Sequence, residues 1–272
     1  MKGLKVYGVK SCLKRFEFLN RKKKRKFDGK KYKNPPVIEA VCEFRLSSDT
    51  PWDLTIPGLF YERVKHDFPY REQRLVQEVE VIATPQGLQQ VIKYSDRVLM
   101  FAPDRKLLLQ LGLRLLVINA LKPYPTWEHF KKRIESAWKI LQEVVEIKGL
   151  ERIGLRYINR IEFPSPIVRL EEYFDFYPFV GERLPQKIVS FITIAEFPYA
   201  DDRDLCRVQI QRALDSETKT AVILDIDYFT VRPQTIDVSD GLTWVEEAHS
   251  RVEEVFEGCI TDKLRSMFEK AN

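Results

Sequence analysis

The sequence predicts an α+β fold of two similar halves, each an antiparallel sheet backed by a long helix. Three observations carry this expectation. Period-two alternation recurs along both halves of the 272-residue chain. Two long stretches, after Thr126 and after Thr243, space their apolar residues by three and four. The order strand, helix, meander, helix occurs twice.

Asn34-Pro35-Pro36 fixes the backbone and bars helix, so ordered structure is expected to begin after it. From Val37, Ala40, Cys42, Phe44 and Leu46 alternate with Glu39, Val41, Glu43 and Arg45, the pattern of a half-buried strand. Pro57 opens a short helix through Leu59, Phe60, Val64 and Phe68, and Pro69 closes it. A meander follows, with strands at Leu75–Thr84, Leu88–Tyr94, Val98–Phe101 and Lys106–Ile118, the second and third separated by Ser95-Asp96. Thr126 then caps a helix carrying Trp127, Phe130, Ile134, Trp138, Leu141 and Val145 on one stripe and ending at Gly149.

The second half repeats the order: strand Leu150–Phe163, short helix Leu170–Phe176, strands Lys187–Phe197, Leu205–Leu214 and Thr220–Arg232, and one long helix Leu242–Phe268 opened by Thr243-Trp244. The expected organisation is a basic extension over residues 1–33, a first half over 34–149 and a second over 150–272, the halves packed as one unit.

A 44% hydrophobic and 31% charged composition suits a packed globular chain and argues against disorder through most of the length. The most apolar stretch, Leu107–Leu121, is broken by Gln110, Arg114 and Asn119, too early for a membrane span, and the N-terminus lacks the apolar core of an export signal. A cytoplasmic protein without membrane contact is expected. Cys12, Cys42, Cys206 and Cys259 show no C-x-x-C spacing and read as thiols, and His66, His129 and His249 are too scattered for a zinc site. Nucleotide-binding and hydrolase signatures such as G-x-x-x-x-G-K-[ST] and G-x-S-x-G are absent, which disfavours a standard cofactor enzyme; no cofactor and no metal is expected.

Charge is unevenly distributed. Residues 1–33 hold fourteen Lys or Arg against Glu17 and Asp28, a local +12 in a chain of net +5, which leaves the remainder at −7. Arg21, Lys22, Lys23, Lys24, Arg25 and Lys26, with Lys30, Lys31 and Lys33, are therefore candidate contacts to the phosphates of nucleic acid; the competing reading is a solvated tail. Arg152, Arg156 and Arg160 share one strand face and form a candidate second contact row. The competing reading there is cross-strand pairing with Glu39 and Glu43. Asp225 and Asp227 also share a face, where they are the minimum for a divalent metal or else counter-ions to the arginines. His249 sits on the last helix's apolar stripe, where a satisfied boundary group is the ordinary outcome.

Asn34-Pro35-Pro36-Val37-Ile38-Glu39-Ala40-Val41 resembles the N-P-P-[VI]-x-E-A-V signature of an uncharacterised, sporadically distributed bacterial protein family. Arg152–Arg160, Leu224–Asp227 and the stretch from Ala248-His249 to Ile260–Arg265 are similar to that family's later blocks, so the resemblance spans about residues 32–270. It implies no activity, and its scattered occurrence implies a mobile or defence-associated setting. The basic segment departs from the family pattern. The expectation is a non-catalytic binding protein that takes nucleic acid through the basic segment. The alternatives are a protein-interaction or regulatory subunit, and an enzyme using the Asp225/Asp227 face.

Overall fold

Alternation after Pro36 produces strand β1 (Val37–Leu46), with Ala40, Cys42, Phe44 and Leu46 buried on one side. The computed structural model describes residues 32–269 other than 85–86, 166 and 214–218. Helix α1 (Ile56–Val64), with proline in its first turn, leads to β2 (Tyr70–Thr84), β3 (Gly87–Phe101), β4 (Leu107–Gly112) and β5 (Leu115–Leu121). Helix α2 (Trp127–Val144) follows, its first turn held by the Thr126 side chain, which accepts from the His129 backbone N–H at 3.3 Å. The later elements are β6 (Leu150–Phe163), a single 3-10 turn at Leu170–Glu172, β7 (Ile192–Tyr199), β8 (Asp204–Ala213), β9 (Thr220–Thr230), α3 (Gly241–Cys259) and α4 (Asp262–Glu269).

The helix and strand content is that of an α+β chain, but the expected pair of helix-backed sheets is corrected. All nine strands form one antiparallel sheet in the order β2-β3-β4-β5-β1-β6-β9-β8-β7. The halves merge because β1 pairs directly with β6, Cys42 opposite Leu155 and Phe44 opposite Ile153. Two separate sheets would have left both strands with long unpaired edges, and their buried faces match across the join. Nor are the halves alike: the first supplies five strands and a nine-residue helix, the second four strands and only the 3-10 turn in the corresponding place.

Several boundaries also differ from expectation, among them the starts of β2 at Tyr70 rather than Leu75 and of β7 at Ile192 rather than Lys187. Ser95-Asp96 is no turn, because β3 runs through it with Asp96 opposite Leu75 and Ser95 opposite Val76. The apolar run Lys106–Ile118 is not one strand: it folds back between Gly112 and Leu115, with Arg114 at φ 52°. The turn has Leu113 and Arg114 at its tip, with no Gly, Pro or Asn there to announce it. The long final helix breaks at Ile260, whose extended backbone pairs with Phe174, and Thr243 lies inside α3 and caps nothing.

One face of the sheet carries the helices. Phe44 stacks on Trp138 of α2 with ring centroids 4.3 Å apart, while α3 lies over β6 and β9. A single core of Phe, Ile, Leu, Val and Trp side chains fills the space between. Among the described residues the opposite face of the sheet carries no helix, and the charged rows stand there beside a small apolar cluster of Leu99, Phe101 and Leu108.

Candidate functional site

On the helix-free face, β1, β6 and β9 bring the arginine row to the centre of the sheet. Arg156 stands opposite Val41 and Asp227, and Gly154 opposite Glu43 and Phe229. The guanidinium of Arg152 lies across Gly154, where a Cβ would stand 2.7 Å from Nη1, so glycine is what admits this approach. From there Arg152 donates to Glu43 at 2.6 Å and to Asp227 at 3.2 Å, with its guanidinium carbon 4.3 Å from the centre of the Phe229 ring. Arg156 forms a two-pronged pair with Asp225, one arm of it 2.8 Å. Arg160 turns outward to Glu162 at 2.8 Å.

Burial works to raise the Glu43 pKa, but Arg152 and Arg45 outweigh it and hold the carboxyl below its ordinary range. Asp227 goes the other way: burial pushes it up, and Arg152 and Arg156 offset this only in part. Hydrogen bonding to Asp225 raises Arg156 against the opposing effect of burial. Glu39 acts on Arg156 only at longer range. It accepts from Asn119 at 2.7 Å, at the end of a chain in which Arg97 donates to Gln110 and Gln110 to Asn119. This face is thus a lattice of arginines, carboxylates and amides that satisfy one another.

The helix face holds His249. Its ring stacks on Trp127 with centroids 3.8 Å apart and meets Tyr157 edge-on; Tyr157 in turn shares a 2.9 Å hydrogen bond with Tyr124. Glu253 lies 3.7 Å from Nε2, and Glu246, Glu128 and Lys131 act at longer range. Burial dominates and pushes His249 down from 6.5 to about 4. A base whose folded pKa is depressed is neutral in both states above pH 6.5, and below it the unfolded chain takes the proton first. Stability is therefore expected to fall between pH 6.5 and 4, by about 3 kcal/mol from this one group. Urea unfolding from pH 7 to 4.5 should show a steeper loss in the parent than in His249→Gln. Parallel curves would mean that the imidazole is solvated.

The third feature is the β7 edge. Among the described residues, β7 is the last strand of the sheet, paired only with β8. Ile192 and Ile194, 65% and 54% exposed, point from the helix-free face, and Phe197 is exposed on the other. Residues 164–191, which lead into β7, hold Ile167, Phe179, Leu184 and Val189, all exposed. Ile167, Phe179 and Val189 line a groove of about 1510 Å³ together with Phe191 and Ala213. Arg212 fastens the strand entry by donating to the Ile188 carbonyl at 3.1 Å.

Of the residues expected to contact nucleic acid, Arg21 to Lys26, Lys30 and Lys31 lie outside the described residues, and Lys33 is exposed. Arg152 and Arg156 come together, each against a carboxylate, and Arg160 stands apart with Glu162. Asp225 and Asp227 act as counter-ions to those arginines. Sequence reasoning missed the Arg97–Gln110–Asn119–Glu39 chain and the β7 edge. Gln110 and Asn119, the two polar breaks in an apolar run, were the available signal for the first; strand alternation does not distinguish an edge from a centre. No family model, curated protein or solved structure matches the chain. Among the described residues, no helix is long and apolar enough to cross a membrane, and no group of three or more His, Cys, Asp or Glu could hold a metal ion.

Proposed function

We propose that the protein is a non-catalytic binding protein whose folded part docks a protein partner along the β7 edge. The observation that carries this reading is the run of exposed apolar side chains from Ile167 to Phe197, gathered at one end of the sheet. β2, the strand at the other end, has Arg71, Glu72 and Arg74 in the first part of its sequence, the kind of charge that blunts an edge; β7 has only Glu196. The lattice around Arg152 and Arg156 supports the reading as well, since a phosphate there would have to displace carboxylates already in place. The three buried cysteines Cys42, Cys206 and Cys259 are free thiols, which suits a reducing compartment such as the cytoplasm. The family resemblance would make such a protein an accessory subunit of a mobile or defence-associated system.

Ile194→Lys tests the docking reading. The immobilised parent and the variant are exposed to the same cell extract. The expected result is at least one protein, free copies of the chain included, held by the parent and lost by a variant of unchanged melting temperature. Equal retention by both overturns docking at β7.

A second reading rests on the +12 of residues 1–33, a density that would bind nucleic acid in a salt-dependent, sequence-blind way. A labelled nucleic-acid panel at several salt concentrations, bound by the full chain and by a chain beginning at Lys33, decides it. Binding lost with the segment assigns the contact to the basic residues before Lys33, Arg21–Lys26, Lys30 and Lys31 among them. Binding retained with substrate preference puts a site in the folded part and makes Arg152, Arg156 and Arg160 the next target, and no binding by either ends this reading.

A further inference from the structure

We infer that the occupant of the β7 edge is a second copy of this chain, joined through antiparallel β7–β7 pairing about a two-fold axis at Thr193. The inference rests on the docking reading above and names its partner.

The backbone sets which groups are free. The Arg212 N–H donates to the Phe191 carbonyl at 3.3 Å, and the ladder continues with Ile192 opposite Gln211 and Thr193 opposite Ile210. In an antiparallel ladder the hydrogen-bonded pairs alternate, so Phe191, Thr193, Ala195 and Phe197 spend their backbone groups on β8. Ile192, Ile194 and Glu196 aim theirs at the open edge. Pro198 has no N–H to offer, which ends the pairing surface on that side. An isologous strand pair satisfies the free groups of both copies at once and leaves no new edge.

The side chains choose the register. A two-fold axis normal to the sheet keeps the helix-free faces of the two copies on one side, so residues of equal parity must stand opposite one another. Centred on Ile194 or Ala195, the pairing sets an isoleucine against Glu196 of the second copy, whose carboxylate already holds Arg207 at 2.6 Å. Centred on Thr193, it sets Ile192 against Ile194 twice over and leaves Glu196 opposite Ser190. That register puts apolar against apolar and brings no charge opposite isoleucine.

Ile192 and Ile194, 65% and 54% exposed, are the side chains that this register sets against each other on the helix-free face.

Light scattering on the eluted full chain, from roughly 1 to 100 µM, should give twice the chain mass, and Ile194→Lys should give the mass of one chain. Thr193→Cys in a Cys12→Ser background should form a disulfide-linked dimer under oxidised glutathione, since the axis residue meets its own copy at about 4.5 Å between Cα atoms. Glu196→Cys in the same background should not, its Cα atoms standing roughly 20 Å apart. A single-chain mass at every concentration, or equal cross-linking at both positions, overturns the second copy. The docking reading would then stand or fall on the extract experiment alone, so the two failures are separable.

Discussion

Arg152→Leu is expected to lower the unfolding free energy by about 3–5 kcal/mol at neutral pH. The effect is large because the side chain serves two carboxylates, Glu43 at 2.6 Å and Asp227 at 3.2 Å, and is itself only 26% exposed. Glu43 would keep Arg45, but Asp227 would lose its direct ion-pair partner in a position where burial already raises its pKa. Removing one partner of a buried pair costs more than the pair contributes, because the remaining charge stays desolvated.

The pH dependence gives the prediction a second readout. An acid whose folded pKa is raised destabilises the fold when it is ionised, and that cost vanishes as pH falls and it protonates. The deficit of Arg152→Leu relative to the parent should therefore shrink from pH 7 toward pH 4.5. Adding Asp227→Asn should recover much of it at pH 7. A deficit below about 1 kcal/mol would show that the pair behaves as a solvated surface bridge.

How far the sequence reveals this arrangement depends on the kind of information each element needs. β1 and β6 were legible to the residue because alternation, Pro36 and Gly149 are local signals. The joining of the halves entered only as the condition of the cross-strand reading of the arginines, because pairing between Val37–Leu46 and Leu150–Phe163 is a contact more than a hundred residues apart, and a strand pattern does not name its neighbour. The same limit hid the site. Arg152, Arg156, Asp225 and Asp227 were each visible as face-sharing residues, and the cross-strand reading of the arginines had the right kind of partner. Of the two carboxylates expected there, Glu43 pairs with Arg152 at 2.6 Å, whereas Glu39, opposite Leu121 and Ile158, accepts from Asn119 and acts on Arg156 only at longer range. The β7 edge was least legible. Ile192-Thr193-Ile194-Ala195 reads like any half-buried strand, and only the strand order leaves it at the end of the sheet.

Trp138→Ala carries the other large effect, an expected loss of about 3–5 kcal/mol. Trp138 is fully buried on α2 and stacks on Phe44 at an interplanar angle of 17°. Phe44 belongs to β1, the strand that pairs with β5 on one side and β6 on the other, so this stack presses α2 onto the seam between the halves. Neighbouring Ile134, Leu141 and Phe130 are equally buried and held by the same helix, which leaves little freedom to close the cavity. Trp138→Phe keeps a ring on Phe44 and should cost less than half as much. Urea unfolding should show a lower midpoint with an unchanged slope in both variants, the mark of lost stability in a state of unchanged compactness. A fall below about 1.5 kcal/mol for the alanine variant would mean that the sheet holds its centre without the helix. The seam would then rest on the charged lattice of the opposite face, and Arg152→Leu would have to exceed it by a wide margin.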